Sequence, residues 1–465
     1  DLDIAEDEAD DLLVAVEEEL RRRRFGEAVR LEVEPGTPPA VRAILRRGIG
    51  VSEEDCYEVG GPLDMAGLFQ IADLPRPDLK APPWSPVVPL RLAQIDEEPV
   101  DIFESIRQGD LLFHHPYESF AASVEEFICQ AAEDPDVLTI KMTLYRTGSD
   151  SPIVRALTKA ADLGKQVAAL VEIKARADEE ANIAWARTLE RAGAHVAYGL
   201  VGLKTHCKIA LVVRREEGGL RRYVHVGTGN YNPKTARQYT DLGMLSCRPE
   251  LGADATDLFN VLTGLSRQRS YRRLLVAPHG VRTRLLELIE REVEHAREGQ
   301  AARVTFRVNS LVDPECIAAL YRASQAGVEV DLIVRGMCSL WPGLPGVSER
   351  IHVRSIVGEF LEHSRIFGFA NGGEPEWYIG SADLMERNLD RRIEALAPVD
   401  DAAARARIEE IVQTLLADDR RSWQLGADAL WRRTEELLGR EGCVDTFELL
   451  KRRALESAHA ARGPV

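Results

Sequence analysis

The fold class this sequence predicts is α/β, as two tandem domains of one kind that face each other, preceded by the remnant of a helical domain. Two observations predict the tandem pair. One is a short pattern that occurs twice: Lys204-Thr205-His206-Cys207-Lys208 running into Gly227-Thr228-Gly229-Asn230, and Glu362-His363-Ser364-Arg365 running into Gly380-Ser381-Ala382-Asp383. The other is that the stretches before the two patterns match in order and type. Ile140–Leu144 precedes a segment that opens at Pro152 and stops at Gly164, followed by the apolar run Val167–Ile173. Phe306–Leu311 precedes a segment that opens at Pro314 and stops at Gly327, followed by Val328–Val334. Runs rich in β-branched residues that alternate with a Pro-opened, Gly-closed Ala/Leu stretch predict strand, helix, strand.

Along the chain, Asp1–Glu19 is acidic and helix-forming, and Arg21–Arg24 follows it. The alternation of Val29–Val33 predicts a strand in need of a partner, a start that suits a fragment whose preceding domain is missing. Residues 37–73 continue as short helices. From Leu74 to Pro89 prolines recur and predict a rigid extended crossing. These features divide the chain into a remnant domain and linker at 1–92, a first repeat at 93–273 and a second at 274–465. Asp400–Ala417 and Asp445–Ala458 carry apolar residues at helical spacing and predict a terminal cap.

Composition narrows the function. A formal net charge of −17 and a pI near 5.2 disfavour a nucleic-acid backbone as the main partner. Seven cysteines without a C-x-x-C pair favour a reducing compartment. No apolar run has the length of a membrane span. Together these predict a cytoplasmic protein, with or without peripheral attachment to a membrane.

The duplicated pattern suits phosphoryl chemistry. A neutral imidazole, with an ordinary pKa of about 6.5, can attack phosphorus in line and carry the group on nitrogen. Its other ring nitrogen then needs a fixed acceptor. Asp241 follows Asn230 at the interval by which Glu394 follows Asp383. Asp241 is therefore assigned to His206 and Glu394 to His363. Lys208 and Arg365, two residues beyond each histidine, place a cation on its face of the strand. Gly227 and Gly229 allow backbone N–H groups close to phosphate oxygens. Strand alternation turns Cys207 to the opposite face, into the core. Spacing alone leaves the two histidines interchangeable.

The motifs Phe113–Phe120, Lys141–Arg146, Glu172–Arg176, Lys204–His206, Gly227–Asn232 and Gly380–Asp383 together resemble the polyphosphate kinase family, whose catalytic half is phospholipase-D-like. The resemblance covers essentially the whole chain, without the family's amino-terminal domain and most of its second. It implies two phospholipase-D-like domains and an ATP:polyphosphate phosphotransferase, with ATP or ADP and inorganic polyphosphate as partners, Mg²⁺ as cofactor and a homo-oligomeric assembly. It also orders the histidines, with His206 as nucleophile and His363 as acid/base partner. Tyr239, Arg335 and His363 then contact the nucleotide, with Gly227, Gly229 and Asn230 along the phosphates. Arg146 and Arg176 stand beside the nucleotide-bound Mg²⁺. Arginine has no lone pair to give, so neither is expected to ligate the ion itself. His114 and His115 are expected in a loop, and Arg267, Arg269, Arg272 and Arg273 along a channel for the polyanion. Two alternatives are a phospholipase-D-like phosphodiesterase and an inactive scaffold fragment. The phosphodiesterase signature has an Asp where Val213 and Ala370 stand.

Overall fold

The computed structural model describes residues 27–93, 100–148, 150–172, 179–200 and 202–460, in two compact units that divide between Trp84 and Ser85. In the first unit the expected strand is Leu31–Val33, and its partner is Cys56–Glu58, parallel to it. The helix Pro39–Ile49 and a shorter one, Leu68–Ala72, supply the helical character. The acidic start and Arg21–Arg24 lie outside the described residues.

The second unit contains both repeats. Among the described residues its first sheet has eight strands. In spatial order these run Leu361–Glu362, Tyr239–Ser246, Gly219–Gly227, Lys208–Glu216, Val137–Leu144, Gln166–Val171 and His195–Ala197, with Leu111–His115 also paired to Tyr239–Ser246. The second sheet has nine: Leu275–Val276, Ala395–Pro398, Glu376–Gly380, Ile366–Phe369, Arg303–Val308, Glu329–Val334, Ile351–Ile356, Ser422–Leu425 and Trp431–Arg433. The repeat is therefore topological as well as textual. In each sheet the strand after the histidine lies between a hairpin partner and the first strand of the repeat, antiparallel to both. That first strand then pairs in parallel with the strand after the helix.

Local chemistry sets these elements. The helix Pro152–Asp162 starts with Pro and is capped by Ser151, which accepts from the Val154 N–H. The helix Pro314–Gln325 starts the same way under Asp313, which accepts from the Cys316 N–H at 3.0 Å. Gly164 and Gly327, at φ 82° and 100°, turn the chain back to the sheet in a conformation that penalises any Cβ. Burial holds the layers together: Phe306, fully enclosed, meets Phe367 and Phe369 edge-on at 5.1 and 5.6 Å between ring centroids. Cutting Phe306 to Ala would cost about 3–5 kcal/mol. The terminal helices form as expected, at Ala402–Ala417 and Thr446–Ala460.

Two short pairings join the repeats and position everything that follows. Lys204–Thr205, from the first repeat, lies parallel to Arg392–Ile393 of the second. Leu361–Glu362, from the second, lies parallel to Tyr239–Thr240 of the first. Each histidine-bearing segment thus ends beside the carboxylate-bearing strand of the opposite repeat. No helix among the described residues is long and apolar enough to cross a membrane.

Candidate active site

The crossing corrects the expected carboxylate assignment. His206 Nδ1 lies 2.9 Å from Glu394 Oε2, and its backbone N–H donates to the Ile393 carbonyl at 2.9 Å. His363 Nδ1 lies 2.9 and 3.0 Å from the two oxygens of Asp241, and its N–H donates to Thr240 Oγ1 at 3.3 Å. Asp241 serves His363 and Glu394 serves His206, the reverse of the assignment from spacing. Intervals along a chain cannot show that each histidine strand pairs with a strand of the other repeat. In both pairs the carboxylate engages Nδ1, which turns Nε2 away from it, at His363 towards Arg365.

Electrostatics distinguishes the two. Burial, then Lys208, Arg392, Arg365 and His363, hold the His206 imidazole well below its ordinary pKa, so it is neutral. Burial pushes its partner Glu394 up to about 7. His363 is also lowered by burial, but the Asp241 charge opposes the shift. Asp241, although buried, is held down to about 2 by His363 and the Thr228 hydroxyl, which donates at 2.6 Å.

Both cations are buried and close to their histidines. Lys208 Nζ donates to the His206 carbonyl and lies 5.1 Å from the Tyr145 ring centroid; burial lowers its pKa to about 7. Arg365 donates to the Asp383 carboxylate at 3.0 Å and to the carbonyls of His363 and Thr228 at 2.9 and 3.2 Å. Its Nη1 is 3.2 Å from His363 Nε2. Tyr145 meets the His206 ring edge-on at 5.2 Å, and Tyr239 lies 5.1 Å from the His363 ring. Arg335 donates to Asn309 Oδ1 at 2.9 Å, and Asn309 donates to the His363 carbonyl at 3.1 Å. Tyr239 and Arg335 are thus joined to the His363 end.

The glycines have a role that spacing did not reveal. A Cβ on Gly229 would stand 2.2 Å from Asp241 Oδ2, and one on Gly227 would stand 2.9 Å from His225 Cε1. Their bareness admits the carboxylate and a buried ring. Asn230 keeps a buried Oδ1 without a hydrogen-bond partner. Arg146 adopts φ 54°, with its carbonyl held by Asn232 Nδ2 at 2.8 Å. Arg176 lies outside the described residues. Cys207 is core, as expected, and burial pushes its thiol up to about 12.

One further reading changes. His114 and His115 lie on the strand Leu111–His115, not in a loop, and are 4% and 3% exposed. The Pro116 turn after them hid the pairing with Tyr239–Ser246. Of the four arginines expected along a channel, Arg272 pairs with Asp254 and Asp257, and Arg273 with Asp400, so part of their charge is offset by neighbouring carboxylates. Arg392 was missed. Its guanidinium is 3.8 Å from Glu394 Oε1, and the only sequence signal was its place two residues before a carboxylate whose partner lay in the other repeat.

The donor set does not fit a resident metal. Among the described residues no group of three or more His, Cys, Asp or Glu could hold an ion. Asp241, Glu394 and Asp383 are each engaged by a histidine or an arginine.

Two part-buried histidines with crossed carboxylates, flanked by cations and reached from two like domains, thus form one cluster. Comparison with known proteins supplies the class. The polyphosphate kinase middle domain matches residues 1–71, its C-terminal domain 1 residues 101–268 and its C-terminal domain 2 residues 274–443. A polyphosphate kinase of Thermosynechococcus vestitus is 54% identical, over 99% of this chain and 66% of the relative. One of Streptomyces coelicolor is 56% identical, over 93% and 58%. The crystal structure of polyphosphate kinase from Porphyromonas gingivalis superposes with a TM-score of 0.83 at 32% identity, covering 93% of this chain and 65% of that one. The chain belongs to the polyphosphate kinase family. It spans roughly three-fifths to two-thirds of the length of these relatives.

Proposed function

We propose that the chain carries the catalytic centre of an ATP:polyphosphate phosphotransferase that works through a phosphohistidine on His206, in a catalytic pair of domains divided near residue 273. The observation that carries this reading is the pair of crossed histidine–carboxylate contacts, at 2.9 Å each, which fix Nδ1 on both rings and leave His206 Nε2 for attack. The His206 Nε2 lone pair attacks the γ-phosphorus, the bond to the β-bridging oxygen breaks, and ADP leaves with that electron pair. Glu394 accepts from the Nδ1–H as the ring gains charge. The terminal oxygen of polyphosphate then attacks the phosphorus and the N–P bond breaks, restoring neutral His206. Reversal makes ATP from ADP and polyphosphate.

The role split follows from charge. Neutral His206 suits attack; His363 is lowered too, but the ionised Asp241 opposes that shift, so it is the ring better placed to take up a proton and pass it to the oxygen that leaves or enters. Lys208 and Arg365 stabilise charge that grows on the transferring oxygens. Tyr239 and Arg335 flank the nucleotide, and Gly227, Gly229 and Asn230 the phosphates. The divalent cation belongs to the substrate, as MgATP, with Arg146 and Arg176 beside it. A reducing cytoplasm fits the seven free cysteines.

The test is incubation with γ-labelled MgATP, followed by acid and alkali stability of the labelled protein. Acid-labile, alkali-stable label that disappears in His206→Gln supports the reading. Phosphodiester hydrolysis by an unlabelled wild type would replace it with the phosphodiesterase.

A further inference from the structure

We infer that Arg307 is a positioning residue that sets the geometry of His363 against Asp241 from the buried seam between the two domains. The inference rests on the assignment of His363 to the reaction. Arg307 lies on the strand Arg303–Val308 and is 3% exposed. Its Nη1 donates to both the carbonyl and the hydroxyl of Ser364, its Nη2 and Nε donate to Glu362 Oε2, and Nη2 also reaches Thr240 Oγ1 at 2.9 Å. One planar group therefore holds the residues on both sides of His363. It also holds the residue before Asp241, and that residue's hydroxyl accepts from the His363 N–H.

The first domain supplies the control. Sheet register pairs Met142 with Ala210 and Phe306 with Phe367, each partner four residues beyond its histidine. Thr143 and Arg307, one residue further, are thus equivalent. Thr143 Oγ1 donates to the Cys207 carbonyl at 2.8 Å, as Arg307 does to that of Ser364. The task at this position is the same in both domains: to fix the backbone just after the histidine. A hydroxyl suffices at His206. At His363 an arginine does it and extends to the opposite domain. A buried Arg–Glu pair is rarely the most stable filling of such a space, so its geometric use is the better account of its presence. The planar fork can serve three partners at fixed angles, which an ammonium cannot.

The experiment compares Arg307→Met/Glu362→Met, which removes both charges together, with Arg307→Lys, which keeps a charge opposite Glu362, and with His363→Gln, all in the full chain. The double variant should melt near the wild type yet lose about 10- to 100-fold in kcat, the range for residues that orient a reacting imidazole. KM for ATP should change little, and the pH profile should shift towards that of Asp241→Asn. A double variant with wild-type kcat and pH profile would overturn the inference, leaving Arg307 as a counter-charge for Glu362. Should the double variant fail to fold, Arg307→Lys decides: a similar kcat loss supports positioning, and unchanged kcat overturns it. Wild-type activity in His363→Gln would instead sink the assignment of His363, whatever the Arg307 variants do.

Discussion

The two ends of the active site have the same architecture and opposite electrostatics. At the His363 end the cation is Arg365, and Asp383 neutralises it at 3.0 Å; Asp241 is free to face the imidazole as a full negative charge. At the His206 end the cation is Lys208, and the residue equivalent to Asp383 is the neutral Asn230. Among the described residues no carboxylate pairs with Lys208, whose main opposing charge is Glu394. The Lys208 charge acts on His206 and, with burial, keeps that ring neutral. Burial displaces both Lys208 and Glu394 to about 7, the lysine downward and the carboxyl upward. A guanidinium in the place of Lys208 would stay charged at neutral pH. One substitution pair, Lys with Asn against Arg with Asp, thus distinguishes the two halves of a duplicated motif, as the proposed nucleophile and partner roles require.

The largest test of this asymmetry is deletion of each ring. His206→Gln should abolish labelling and turnover, by roughly 10³-fold or more, whereas His363→Gln should slow turnover by about 10²–10⁴-fold and still permit slow labelling of His206. Equal labelling defects in rapid-quench experiments would mean that the ends are interchangeable. Next come the carboxylates. Asp241→Asn removes a full charge and the Nδ1 acceptor and should cost about 10²-fold or more in kcat. Glu394→Gln replaces a group already half protonated near neutrality and should cost about tenfold. A reversed order in steady-state rates would contradict the charge assignment.

Asn230→Asp sharpens the comparison by copying the second domain into the first. It should stabilise protonated Lys208, weaken the cationic field on His206 and lower kcat by about tenfold. In the wild type, activity should rise with pH through about 7 as Glu394 loses its proton, and fall when Lys208 loses its own, so both limbs lie close together. In Asn230→Asp the alkaline limb should move upward. A profile that does not move would remove Lys208 from the explanation. The smallest expected effect is on stability: Gly229→Ala forces Asp241 aside and should cost about 1–3 kcal/mol in denaturant unfolding, more than Gly227→Ala, whose added Cβ meets the edge of a ring.

Much of this was legible in the chain itself. The repeat, the Pro-opened and Gly-closed helices, the strands on either side, the two histidines and their cations all depend on local spacing. Periodicity and capping act within a few residues, so the sequence displays them directly. Even the contrast between Asn230 and Asp383 stands in the two motifs. Only the tertiary structure decided which carboxylate serves which ring, because Lys204–Thr205 and Leu361–Glu362 each leave their own repeat to pair with the other. The same distance along the chain concealed Arg392 beside Glu394, Arg307 beside Thr240 and the need for a bare Gly229 under Asp241. Proton affinities followed the packing as well: Glu394 and Asp241 differ as they do because of their burial and partners, and those exist only once the two domains close on each other.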